Sequence, residues 1–235
     1  MKISQTKLTL TPLRAAMLIA ATLQFGSAFA QSAGASKSPA LAGTDQAQSL
    51  ADGAEIFENL TESASALDEV EFNKALSEYE KLSPEIFPHL SPERKTRLET
   101  LMRGVHEDWQ KKDRGAMAIQ SIEVYRLLQE SIIDHGQSVP KEVSLLDYAG
   151  FKLNGLLLSP QPDWKEVAKT TQEASAWWTA IKPRITDKNL RDAMDHTIRG
   201  INDAAARKDT NLLRFAANMD LILVDGMEAF FESSH

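Results

Sequence analysis

Residues 101–113 read LMRGVHEDWQKKD, and the chain returns to the same pattern at 197–209, TIRGINDAAARKD. Arg103-Gly104 and Lys112-Asp113 come back as Arg199-Gly200 and Lys208-Asp209, each 96 positions further on. At that offset Leu50, Phe57 and Leu60 meet Leu146, Leu153 and Leu156, while Leu98 meets Met194 and Leu127 meets Leu223. One offset kept by apolar positions over about 85 residues predicts an internal duplication. Helical solenoid units are about 33 residues long, so a copy of this length has to be a packet of several helices.

The copies are expected over 45–136 and 137–235, packed together as one domain. Within them apolar residues recur every three to four positions, and no stretch alternates with the period of two that marks a strand. Leu50, Ala54, Phe57 and Leu60 predict a first helix. Asp68 caps a second, Ser91-Pro92 opens a third and Asp113 a fourth, which His135-Gly136 closes. Pro84 and Pro88 predict a turn across 83–91. Residues 140–158 are apolar nearly all round and predict a buried central helix. Asp163, Thr186-Asp187 and Asp209 then begin three more. The fold class is all-α, with about eight helices in two pseudo-repeats of a helical-bundle unit.

The amino terminus has a different character. Lys2, Lys7 and Arg14 precede the apolar run 15–25, and Ala28-Phe29-Ala30 supplies small residues for cleavage, so 1–30 reads as a signal peptide. About a dozen apolar residues are too few for a bilayer that needs roughly 20, so no membrane anchor is expected. The product is placed in the periplasm or outside the cell. Residues 31–44, QSAGASKSPALAGT, lack periodicity and read as a flexible linker. No cysteine occurs, which excludes disulfides, thiolate metal sites and covalent haem attachment.

Ten carboxylates against Lys74 alone between 45 and 80 make one acidic edge. It repels nucleic acid and favours a basic partner. Asp220 falls among Leu213, Ala216, Met227 and Phe231, inside the apolar arc of its helix, with Lys152 or Arg199 as expected partners. Asp220 and Lys152 are therefore candidates for a polar ligand pocket, with Arg103 and Arg199 beside the paired glycines. Trp177, about 100° from the seam led by Trp178, is a candidate exposed contact residue near Lys182 and Arg184. His106 and His196, three residues to either side of the paired arginines, would be level if their helices crossed. With Glu107, Asp192 and Asp195 they offer imidazole and carboxylate to a divalent transition metal.

In class the chain resembles exported helical bundles such as the cytochrome c-prime type and the imelysin group. The CxxCH of the first is absent, and the GxHxxE of the second is found at none of His89, His106, His135, His196 and His235. No GxSxG, HExxH or glycine-rich phosphate loop occurs either, and no catalytic residue is expected. The leading expectation is a non-catalytic exported protein, without a cofactor, that binds a protein partner or a small apolar ligand in the inter-repeat groove or at the acidic edge. The alternative is a periplasmic metal-binding protein.

Overall fold

In a computed structural model, which describes residues 39–133 and 138–233, side chains from 46 on, every regular element is helical. The eight α-helices are α1 (Pro39–Ser63), α2 (Glu69–Ile86), α3 (Pro92–Lys111), α4 (Arg114–Gln129), α5 (Lys141–Leu156), α6 (Trp164–Ile181), α7 (Lys188–Arg207) and α8 (Thr210–Ser233). Single 3-10 turns, Phe87–His89 and Lys182–Arg184, follow α2 and α6. No strand occurs among the described residues, and none of their helices is long and apolar enough to cross a membrane. The signal-like segment 1–30, His135-Gly136 and His235 lie outside the described residues.

Short polar side chains start the helices where the sequence places them. The Asp68 carboxylate accepts from the Val70 and Glu71 amides at 2.8 and 3.2 Å, and Ser91 accepts from the Arg94 amide at 3.3 Å. Asp113, Asp163, Asp187 and Asp209 cap α4, α6, α7 and α8 in the same way. Each relieves amides that have no partner within the helix. α5 differs, opening after Pro140 with no side-chain cap.

Three boundaries depart from expectation, and the first is the end of α4, which stops at Gln129 before the His135-Gly136 read as its close. α1 begins at Pro39, inside the segment read as a linker, because proline is preorganised for a first helical position and Ala40, Leu41 and Ala42 are strong helix formers. α2 runs through Pro84 to Ile86 instead of turning at Ser83. Pro84 cannot donate to the Glu80 carbonyl one turn back, but the Ser83 hydroxyl does so at 3.0 Å, which keeps that acceptor satisfied.

Packing follows a simple order. α4 lies on α1 and α3, and α2 lies on α1; α8 lies on α5 and α7, and α6 lies on α5 and α7. α4 packs on α5 and joins the two sets, so that the described residues form one compact unit. One apolar cluster gathers Leu50, Phe57, Ile86, Leu98 and Ile122 with Tyr148 and Phe151 of α5. A second gathers Leu146, Leu153, Ile181, Met194 and Val224. α5 therefore feeds both clusters and is buried on nearly every side, which explains its all-round apolar sequence.

α3 and α7 both end on a lysine in the left-handed region, Lys112 at φ 56° and Lys208 at φ 54°. That conformation costs a side-chain-bearing residue on the order of 1 kcal/mol, which glycine escapes. Lys112 recovers part of it by placing its ammonium 3.9 Å from the Trp109 ring centre, an attraction of about 0.5–1 kcal/mol. Lys208→Gly is thus expected to raise stability by about 1 kcal/mol in urea unfolding, whereas Lys112→Gly changes it little. Equal gains from both substitutions would contradict this account of the two helix ends.

Candidate functional site

Because α5 is surrounded, its charged residues have to be satisfied by neighbouring helices. Lys152, with its side chain only 4 % exposed, places Nζ 2.9 Å from Glu123 Oε1 on α4 and 3.5 Å from Glu166 Oε2 on α6. One turn earlier, the Tyr148 hydroxyl accepts from Lys152 at 2.8 Å and donates to Glu123 at 2.7 Å. Arg126 of α4 donates to Tyr148, to Glu173 of α6 at 3.1 Å, and to Glu130 at 2.8 Å. Trp177 packs edge-on to Tyr148, its ring centre 6.1 Å away, with the Arg126 guanidinium 5.5 Å over its own ring. Lys152 and Trp177, singled out in the sequence for other roles, meet in this network. Sequence reasoning missed the polar role of Tyr148, which reads as one more apolar residue of the central helix, and of Glu123, Arg126, Glu166 and Glu173, which read as ordinary rim residues.

The electrostatics hold Glu123, Lys152 and Tyr148 in their ordinary charge states. Burial works against the Glu123 carboxylate, but Lys152, Tyr148 and Arg126 outweigh it and hold that carboxyl below the usual glutamate range. Burial likewise disfavours the Lys152 ammonium, and Tyr148 and Glu123 more than offset it, so its pKa is raised. Burial and the facing Glu123 push the Tyr148 hydroxyl up to about 12. Proton transfer at neutral pH calls for groups shifted toward neutrality, and these are shifted away from it.

Two clefts open beside α4. One, of about 420 Å³, lies among α3, α4 and α6, with Glu123, Arg126 and Glu173 in its wall and Arg94, Arg97 and Lys169 at its mouth. The other, of about 360 Å³, lies where α1, α4, α5 and α8 meet. Its surface includes Ala118, Phe151, Leu158 and Leu221, with Glu62, Asn154, Arg214 and Asn218 as polar neighbours. Arg214 is tied to the Leu157 carbonyl at 2.9 Å, and Asn154 donates to Asn218 at 2.9 Å. On either side of Asn218 along α8, Phe215 and Ile222 are 64 % and 62 % exposed.

Asp220 is fully buried, as its place in the apolar arc predicts, but the expected partners are engaged elsewhere. Lys152 is held by Glu123 and Glu166, and the exposed Arg199 contacts His196 Nδ1 at 2.9 Å. Neither Asp220 oxygen has a hydrogen-bond partner among the described residues, and burial raises its pKa well above the ordinary aspartate value. Asp220 packs on Gly150, where an added Cβ would come within 2.9 Å of Oδ2. Lys152 and Asp220 consequently do not share a pocket.

The remaining candidates separate too. Arg103 is exposed. Trp177 is half-buried against both apolar clusters instead of standing free beside Lys182 and Arg184, because Tyr148 and Arg126 occupy its face. Lys182 bonds Asp195 at 2.7 Å, and Trp178 Nε1 donates to the same carboxylate at 2.8 Å. His106 lies edge-on to Phe72, and α3 and α7 share no packed interface that would set it level with His196. No group of three or more His, Asp or Glu among the described residues can hold a metal ion. The acidic edge is exposed over most of α1 and α2, with Glu58 buried.

Replacing Asp220 with the near-isosteric valine is expected to stabilise the protein at pH 7 by about 1–3 kcal/mol, the cost of an unsatisfied buried polar group. With the folded pKa raised, the native state binds the proton more tightly than the unfolded chain. The penalty therefore grows as pH rises above the ordinary aspartate value of about 4, and the advantage of Asp220→Val grows with it. A loss of stability on thermal melting at pH 7 would mean that the carboxylate is satisfied.

Comparison of the chain with protein families, with curated proteins and with solved structures finds no match.

Proposed function

We propose that this is an exported, non-catalytic helical protein, built from two copies of a four-helix unit, which binds a protein partner or a small apolar ligand in the groove between them. Support for the duplication comes from correspondences at the sequence offset of 96. Shifted by it, the bounds of α3 coincide with those of α7, and the left-handed Lys112 and capping Asp113 meet Lys208 and Asp209. Gly104 abuts Gln120, and Gly200 abuts Ala216, the residue at the corresponding place. Leu50 and Leu146, Phe57 and Leu153, and Leu98 and Met194 are pairs in which both members are fully buried. Support for export rests on the charged, apolar and small residues of 1–30.

The observation that carries the binding role is the groove at the junction of α1, α4, α5 and α8. Its volume of about 360 Å³ is that of a small-ligand site, and its lining sets Ala118, Phe151, Leu158 and Leu221 among the polar Thr61, Glu62, Ser65, Asn154, Arg214 and Asn218. Phe215 and Ile222 extend the apolar surface onto the outside of α8. Exposed large side chains beside a concavity mark a contact surface more often than isolated ones do.

The dye anilinonaphthalene sulfonate, which brightens in apolar clefts, is expected to bind the folded chain saturably. The double variant Leu158→Gln/Leu221→Gln is expected to weaken it roughly fivefold or more through lost apolar contact, with the helical circular dichroism unchanged. Unaltered dye affinity in that variant would remove the groove as the binding site.

A further inference from the structure

We infer that the groove is the seat of an amphipathic helix from another protein, basic on its polar face, held by α8 and α5 in the way that α5 is held by α4 and α1. The inference rests on the duplication and groove proposed above and adds the occupant. α5 shows how such a seat is filled. Gly155 brings it close to α4, where an added Cβ would lie 3.2 Å from both Ala118 Cβ and Ile119 Cδ1. Further along, Tyr125 donates to the Ser144 carbonyl at 3.2 Å and Arg126 donates to the Tyr148 hydroxyl at 3.2 Å.

Carried forward by 96 positions, Ala118, Ile119, Tyr125 and Arg126 become Arg214, Phe215, Leu221 and Ile222. These four are exposed or half-exposed, and Arg214 and Leu221 line the groove. The supporting helix carries over as well. Glu58 of α1 is buried close to Tyr125, and its counterpart is Asn154 of α5, which lines the groove. Asn154 Oδ1 is a buried acceptor with no hydrogen bond among the described residues, as suits a place where one more donor is due. The second unit thus repeats the seat of the first without a ninth helix among the described residues to fill it.

Charge selects the occupant. In a second copy of this chain the helix corresponding to α5 is α1, which carries Asp52, Glu55 and Glu62 at the places of Tyr148, Phe151 and Leu158. Set on Phe215 and Ile222, those carboxylates would be desolvated against apolar surface, so a second copy is disfavoured. Arg214 keeps its charge while its guanidinium bonds the Leu157 carbonyl, and Glu62 of the groove, with Glu55 one heptad back on the same face of α1, outnumbers it. A helix with an apolar stripe for Phe215, Leu221 and Ile222 and lysines or arginines toward Glu55 and Glu62 satisfies both surfaces.

The probe is a fluorescein-labelled peptide of two LKKLLKL heptads, titrated by anisotropy against the intact chain alongside an LEELLEL counterpart. The basic peptide is expected to bind about tenfold more tightly than the acidic one, and Phe215→Asp/Ile222→Asp to weaken it by about tenfold. Both replaced side chains are more than half exposed, and circular dichroism checks the fold. Val70→Asp and Ile133→Asp, at exposed apolar positions elsewhere, are expected to leave binding within about twofold. Equal binding of the two peptides, or affinity unchanged by Phe215→Asp/Ile222→Asp, overturns the inference. If the dye still reports the groove while no peptide binds, the helix seat fails and the groove reading stands; if neither binds, both fail. Sedimentation that finds a dimer dissociated by Phe215→Asp/Ile222→Asp gives the seat to a second copy and likewise overturns the proposal.

Discussion

The structure depends on α5 completing two apolar clusters at once. Tyr148 and Phe151 face the cluster of α1–α4, while Val143, Leu146, Ala149, Leu153 and Leu157 face that of α5–α8. A helix used in this way keeps no solvent face, so any charge it carries has to be met by its neighbours. Lys152 meets Glu123 and Glu166, and Asp147, at 3.3 Å, shares the Tyr125 hydroxyl proton with the Ser144 carbonyl. Such a network adds little net stability, because its attraction offsets the desolvation of the charges, but it penalises any rotation or slip of α4, α5 or α6 that would leave one of them unpaired. It fixes register where apolar contacts alone would tolerate several.

Much of the architecture was legible in the sequence because its signals are local. Asp68, Ser91, Asp113, Asp163, Asp187 and Asp209 each cap the helix that follows, through bonds spanning two or three residues. The central position of α5 was legible from apolar residues all round it. Pro84 was misleading: the residue type argues for a turn, and only the neighbouring Ser83 hydroxyl lets the helix continue. The sites were less legible, since pairing across helices depends on which faces meet. Asp220 and Lys152 both sit in apolar arcs, yet Lys152 reaches toward α4 and α6 while Asp220 packs on Gly150. Glu123 and Glu166 carry no sequence mark that separates them from solvated glutamates.

Asp220 and the groove express one asymmetry between the two proposed copies. Val124, at the place of Asp220, is fully buried and asks for no partner. The first copy is closed on one side by α5 and covered on the other by the acidic surfaces of α1 and α2, whereas the second leaves Phe215 and Ile222 in solvent.

Native-state hydrogen exchange, read helix by helix, tests the role of α5 most directly. If α5 completes both clusters, its amides exchange only through global unfolding, and α1–α4 lose protection together with α6–α8 at one free energy. Two separate unfolding steps, with α5 following α6–α8 while α1–α4 stay protected, would contradict the account.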